Sequence, residues 1–216
     1  MKTRIFNLII VDESGSMNCI YRQALTGMNE TLQTIRATAA KFPQQEQYVT
    51  LVTFNSTSRP NTNYVLDCIA ATQAADIAES QYQPSGCTPL YDAMGTALTR
   101  LRAQVAAEDK VLVTIITDGM ENSSCEYSGR AIKCLVEDLK NQGWGFTYIG
   151  SNHDVAAAAE SLSIDAHLEF CEDAEGTREM FQREKRSRSN FYRTLRENPA
   201  ASGASLMEGF FEDAKQ

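Results

Sequence analysis

The alternation of apolar, β-rich runs with segments of helical periodicity constrains this chain most. Strand candidates fall at 4–11, 47–54, 62–68, 111–117, 145–150 and 164–170. Between the first two, Ile20, Ala24, Met28, Leu32, Ile35, Ala39 and Phe42 recur at steps of three and four, one face of a helix. Pro43 ends it. A second helix starts near Pro89, a residue favoured in first turns, with Leu90, Met94, Leu98, Leu101 and Val105 on one face. A third runs from about Ser128 to Asn141, with Ile132, Leu135 and Leu139 inward and Gly143 as its stop. A short Ala-rich helix covers 154–162. Such alternation predicts an α/β fold of three layers, a mainly parallel sheet with helices on both faces. The 47–54 and 62–68 strands are joined only by the polar loop Asn55 to Asn61. No crossover helix fits there, so this pair is expected to be antiparallel and at an edge of the sheet.

The chain divides at about residue 171. Residues 1–171 form the α/β domain, and 172–216 read as a basic helical C-terminal extension. From Glu172 to Glu197 the pattern is helical but thinly apolar, with Phe181, Phe191 and Leu195. After the loop Asn198–Gly203, Leu206, Met207, Phe210 and Phe211 suggest one or two further amphipathic turns. Arg178 to Arg196 holds seven Lys or Arg against two Glu, a local +5 that leaves −13 on the rest of a chain of net charge −8. That acidic balance argues against general nucleic-acid binding. The run Arg183-Glu184-Lys185-Arg186-Ser187-Arg188 reads first as a solvated helix face that also complements the acidic domain, with an acidic partner or a nucleic acid as the alternative. Met1-Lys2-Thr3-Arg4 is basic, but the apolar run behind it stops at Asp12-Glu13 with no small-residue cleavage site, so it is expected to be a strand. No apolar segment approaches the ~20 residues that span a bilayer. The six cysteines form no C-x-x-C pair, which argues against a zinc site. Reduced thiols in the cytoplasm are the expectation.

The first strand runs into Asp12-Glu13-Ser14-Gly15-Ser16, a carboxylate and two hydroxyls at alternate positions. These are hard oxygen donors of the kind Mg²⁺ or Mn²⁺ prefers. Alone they describe a helix cap. In open α/β sheets, however, ligands sit beyond the carboxyl ends of strands. Asp118 follows the 111–117 strand, and Thr88 precedes the helix that feeds it. Asp12, Ser14, Ser16, Thr88 and Asp118 can therefore meet on one sheet edge. Two carboxylates balance a divalent charge, and neutral hydroxyls leave the ion open to one further anion. Met17, Gly86, Cys87, Gly119 and Glu121 are expected to line the rim. His153 follows the fifth strand as a polar residue before a helix, His167 is expected to face solvent, and Trp144 to pack.

Here the sequence resembles the von Willebrand factor A domain family and its metal-ion-dependent adhesion site. The flanking words are Val11-Asp12-Glu13-Ser14-Gly15-Ser16-Met17, Gly86-Cys87-Thr88-Pro89-Leu90-Tyr91-Asp92-Ala93 and Ile116-Thr117-Asp118-Gly119. Thr88 stands 76 residues after Asp12, and Asp118 stands 30 after Thr88. Cys87 replaces the Gly more usual in the second word. The resemblance covers roughly residues 4–170. It implies a Rossmann-like, six-stranded sheet with one antiparallel edge strand. It also implies a non-enzymatic module that binds, through its metal, an Asp or Glu of a partner protein. Cytoplasmic bacterial members often work beside AAA+ ATPases or in stress and phage-associated gene sets.

Two other classes compete. A Mg²⁺-dependent phosphoryl-transfer enzyme of the dehalogenase type needs a second Asp where Ser14 stands, and a receiver-type domain would want a Lys that Tyr148-Ile149-Gly150-Ser151 lacks. No phosphate-binding loop, G-x-S-x-G elbow or H-E-x-x-H is present. A metal-independent scaffold would bind instead through the basic C-terminal helix.

Overall fold

The computed structural model describes residues 2–57 and 61–212. β1 (Thr3–Asp12) sends Ile5, Ile9 and Val11 to one face of the sheet and Phe6, Leu8 and Ile10 to the other. Both faces are covered, so the strand reads as an unbroken apolar run rather than an alternating one. It lies between β2 (Gln45–Phe54) and β4 (Lys110–Thr117), parallel to both. With β3 (Thr62–Ala70), β5 (Gly145–Gly150) and β6 (Ala166–Glu169) the sheet has the order β3-β2-β1-β4-β5-β6. Only the β2–β3 pair is antiparallel, and β3 is an edge. The expected six-stranded, mostly parallel α/β sandwich is thus the observed fold. Of the Asn55–Asn61 loop, residues 58–60 lie outside the described residues.

α1 (Tyr21–Lys41) covers one face, and α2 (Leu90–Arg102), α3 (Gly129–Asn141) and α4 (Val155–Ser161) cover the other. Side-chain caps start two of them: Ser128 accepts from Ala131 and Asp154 from Ala157. Gly143, at φ +91, stops α3. Three expected boundaries differ. α2 ends at Arg102, so Val105 lies beyond it. Residues Gly15–Ile20 form a separate 3₁₀ segment ahead of α1. β6 is shorter than 164–170 because Ile164, after Ser163 at φ 58, packs into the α2–α4 layer instead of joining the ladder.

The basic segment forms α5 (Ala174–Glu197), followed by α6 (Gly203–Met207). α5 packs on the α1 face through Met180, Phe181, Phe191, Tyr192 and Leu195, and Phe210 and Phe211 join the same cluster. The Phe181 ring occupies the space a Cβ on Gly27 of α1 would need. The solvated-face reading of 183–188 holds for the exposed Lys185 and Arg186 and is corrected for Glu184 and Arg188, which are 1% and 0% exposed. Arg188 donates from Nε to Glu184 Oε1 at 2.6 Å, from Nη1 to Asn7 Oδ1 at 3.0 Å and from Nη2 to Thr114 Oγ1 at 2.8 Å. Tyr192 also donates to Asn7, at 2.6 Å. Polar Asn7 of β1 and Thr114 of β4 thus sit buried on the sheet face under α5 with a guanidinium over them.

Removing one partner of a buried ion pair strands the other charge. Arg188→Ala is expected to destabilise the protein by about 3–5 kcal/mol in urea unfolding. The double change Arg188→Met with Glu184→Leu should lose far less, because Asn7 keeps Tyr192 and Thr114 keeps Thr147, 3.1 Å away.

Candidate metal centre

The strand order reverses between β1 and β4, so consecutive connections leave their carboxyl ends on opposite faces and open a crevice between them. Asp12 ends β1, and Asp118 follows β4 directly. Asp12 is fully buried. Its Oδ1 accepts the Ser14 backbone N–H at 2.7 Å and its Oδ2 accepts the Thr117 hydroxyl at 2.6 Å. Ser16 donates to Asp118 Oδ1 at 2.7 Å and lies 3.1 Å from the Ser14 hydroxyl. Thr88 is buried, with its Oγ1 3.9 Å from where a Cβ on Gly119 would stand. All five predicted donors thus come together on one edge.

Three further acids, none identified as structural by sequence reasoning, hold the loops. Glu13 is buried; its carboxylate accepts the Gln83 N–H, and its backbone bonds Phe54 at 2.9 Å and Ser85 at 2.8 Å. Asp92 accepts the N–H groups of Cys125, Glu126 and Tyr127 at 2.8–2.9 Å. Glu121 accepts the N–H groups of Tyr91, Ser123 and Ser124 and the Ser124 hydroxyl, all within 2.9 Å. Asn122 Oδ1 accepts from Thr88 N at 2.9 Å. Gly15 N–H donates to Gly86 O at 3.0 Å. Gly86 has φ +72, and a side chain there would run into Ser56 and Thr57. An acid in a loop carries no pattern that separates a clamp from a solvated residue, so the sequence signal for these roles is only Asp92's place in the helix's first turn.

The rim differs from expectation. Met17 is 0% exposed and belongs to the α1-side core, so it cannot touch a partner. Glu121 is engaged by its own loop. Gly86 and Cys87 are exposed and Gly119 is half-buried. Met120, which periodicity could not single out, is 67% exposed. His153 stands on this edge, with Nε2 3.1 Å from the Tyr148 hydroxyl and Nδ1 2.6 Å from Ser151 O. His167 is exposed and Trp144 buried.

Electrostatically the edge is unfavourable to its own carboxylates. Burial pushes Asp12 up to about 6, against the Thr117 and Ser14 hydrogen bonds, with Asp118 adding repulsion. Burial also raises Asp118, against the Ser16 bond, and the nearby Glu172 raises it further. Asp118 Oδ2 is buried and has no hydrogen-bond partner among the described residues. Such an orphaned anionic oxygen is costly and calls for a cation. Two carboxylates and three hydroxyls are a donor set that fits a hard divalent ion. Among the described residues no three His, Cys, Asp or Glu converge, consistent with a donor set that is mainly hydroxylic.

The family model of the von Willebrand factor type A domain matches residues 8–189. The chain belongs to that family. This von Willebrand A domain includes most of α5, in keeping with the buried Arg188. A search of curated proteins returns no match. Among solved structures it is similar to the D319A mutant of the PilB minor pilin from Streptococcus sanguinis, with TM-score 0.64, 15% identity, and coverage of 93% of this chain and 64% of that one. It is similar to a von Willebrand factor type A protein from Catenulispora acidiphila, with TM-score 0.58, 17% identity and coverage of 84% and 42%. Proximal thread matrix protein 1 from the mussel byssus, solved with a zinc-occupied MIDAS motif, gives TM-score 0.61, 14% identity and coverage of 87% and 46%. The chain spans less than two thirds of each, and at these identities the likeness concerns the fold. No helix among the described residues is long and apolar enough to cross a membrane.

Without a cation, Asp12 titrates higher folded than unfolded, so it favours the folded state below about pH 4 and progressively disfavours it up to about pH 6. In EDTA, Asp12→Asn is expected to be more stable than wild type at pH 7 by roughly 1–3 kcal/mol. The difference should vanish near pH 4 in chemical denaturation.

Proposed function

We propose that this domain binds Mg²⁺ or Mn²⁺ through Asp12, Ser14, Ser16, Thr88 and Asp118, and through that ion a carboxylate of a partner protein. The observation that carries the reading is the buried, unpartnered Asp118 Oδ2 beside Ser16, at an edge where a second carboxylate is already raised by burial. The ion supplies positive charge that both carboxylates need and an open position for one more anionic oxygen. The chain's own residues do the rest: Thr117 and the Ser14 N–H aim Asp12, Asn122 aligns Thr88, and the Asp92 and Glu121 clamps fix the loop that carries Met120. The mussel relative with zinc in its MIDAS motif supports divalent binding in the family.

The domain in this reading is an interaction module and not an enzyme. Ser14 stands where a dehalogenase-type phosphatase needs its acid, and its hydroxyl faces Ser16. His153 is engaged on both ring nitrogens and His167 is remote in an exposed strand position. The metal-independent scaffold is weakened because α5 commits Glu184 and Arg188 to its own core. Six unpaired cysteines, five of them exposed, suit a reducing, cytoplasmic setting. The partner is a protein presenting Asp or Glu; the AAA+ ATPases and stress complexes of cytoplasmic family members are the class to test.

Mg²⁺ or Mn²⁺ at a hundredfold excess over its dissociation constant should stabilise the wild type by about 2.7 kcal/mol in thermal or chemical unfolding at pH 7. Asp12→Ala and Asp118→Ala should show no such response. Retention from lysate should fall together in EDTA and in Asp12→Ala; recovery indifferent to both overturns the metal bridge. Phosphatase turnover abolished by Asp12→Ala would establish the enzyme class instead.

A further inference from the structure

α1 follows β1 and α5 follows β6, so both begin at the carboxyl edge that carries the candidate metal centre. Between their first turns lies a crevice of about 290 Å³. Its floor is Phe181 against Gly27, where a Cβ would collide with the ring. Arg22 and Arg178 stand on opposite walls, both exposed. Neither makes an ion pair or a hydrogen bond among the described residues, although the chain has 28 Asp and Glu to offer. The carboxylate that shares the crevice, Glu30, is already met by Gln182 at 3.1 Å. Arg22 sits in the first turn of α1, which holds no acidic residue and where the helix dipole gives a cation no support. Local helix stability therefore does not explain Arg22's placement, and such departures concentrate at functional positions.

A narrow crevice with two planar guanidiniums and an apolar floor fits an extended chain carrying carboxylates, which arginine forks hold in bidentate fashion. We infer that the α1/α5 crevice is a second anchoring site for an acidic peptide segment of the partner, beside the metal-bound carboxylate. Only the pairing with the metal rests on the function proposed above; the crevice itself stands on Arg22 and Arg178. The domain then reads two features of its partner, one carboxylate at the ion and an acidic stretch a fixed distance along the chain. This gives selectivity that a lone metal-bound carboxylate cannot supply.

The test uses labelled 12-residue Ser/Gly peptides with one Asp and a Glu-Glu pair placed two to eight residues away, read by fluorescence anisotropy in Mg²⁺ and in EDTA. One placement should bind about tenfold tighter than the Asp-only peptide, as two exposed charge pairs allow. The gain should disappear in Arg22→Gln/Arg178→Gln, whose unfolding midpoint stays that of wild type, and persist in Arg130→Gln, an exposed arginine of α3 that serves as the charge control. Equal binding of the Glu-Glu peptides by wild type and the double variant overturns the proposal. So does the same loss in Arg130→Gln, or stronger arginine-dependent binding of a dT12 oligonucleotide or phosphatidylserine vesicles. Peptide binding that ignores EDTA and Asp118→Ala but still requires both arginines would sink the metal bridge and leave the crevice standing.

Discussion

The parallel adjacency of β1 and β4 is the constraint on which the rest of this molecule depends. Because the chain leaves β1 over one face and enters β4 from the other, the two strand ends are left side by side with no helix crossing between them. Asp12 and Asp118 are neighbours for that reason, although they stand 106 residues apart in the sequence. Burying two carboxylates at one edge is a cost that backbone topology imposes, chiefly through lost solvation with their repulsion the smaller part, and that side-chain hydrogen bonds only partly relieve. The Thr117 and Ser14 bonds favour ionised Asp12, yet its pKa still stands near 6. A divalent cation would relieve that cost near neutral pH, where a proton no longer does, which is why the fold and the proposed function are one problem.

The loops at this edge are long and irregular, and they would be mobile without internal partners. Carboxylates supply those partners. Glu13 ties the first loop to the segment at 83–85, and Asp92 and Glu121 hold 121–127 over the start of α2. Asp92 and Glu121 each accept three backbone N–H groups and Glu13 accepts one, the kind of bond in which an ionised acceptor is strongest. The edge thus contains two kinds of acid: those saturated by backbone donors, which build the scaffold, and Asp118, which keeps one oxygen unpartnered. Their hydrogen-bond saturation separates the two kinds; their burial does not.

Much of this was legible in the sequence. Periodicity located the helices, and the short Asn55–Asn61 connection required the antiparallel pair that the sheet contains. The five donors were legible because strand ends are legible, and the parallel topology did the remaining work. What could not be read were relations that require three dimensions. Nothing in Asp12-Glu13-Ser14 distinguishes the clamp from its neighbours, and Met17 looked like a rim residue only because it follows Ser16. The 3₁₀ segment Gly15–Ile20 turns that side chain into the core. Met120 is the converse case, an apolar residue in no periodic pattern that the Glu121 and Asn122 bonds hold outward.

The C-terminal helix shows why charge counts mislead in such a chain. By sequence, residues 178–196 are a +5 segment apart from the acidic domain. In space the segment is several things at once. Arg188 lies beneath the helix, where it bonds Asn7 and Thr114, and its contacts set the helix's register on the sheet. Arg183 closes on Phe211 O at the far side. Arg178, near the metal edge, faces a crevice whose acid, Glu30, is bonded to Gln182. A buried pair with this many bonds is a poor source of stability but a source of specificity, since the observed register is the one that brings Arg188 onto Asn7 and Thr114. The same register that places Arg188 over β1 and β4 also places Arg178 beside Arg22. The core ion pair therefore positions a surface cation some ten residues away along the helix, and a shift in one is a shift in the other.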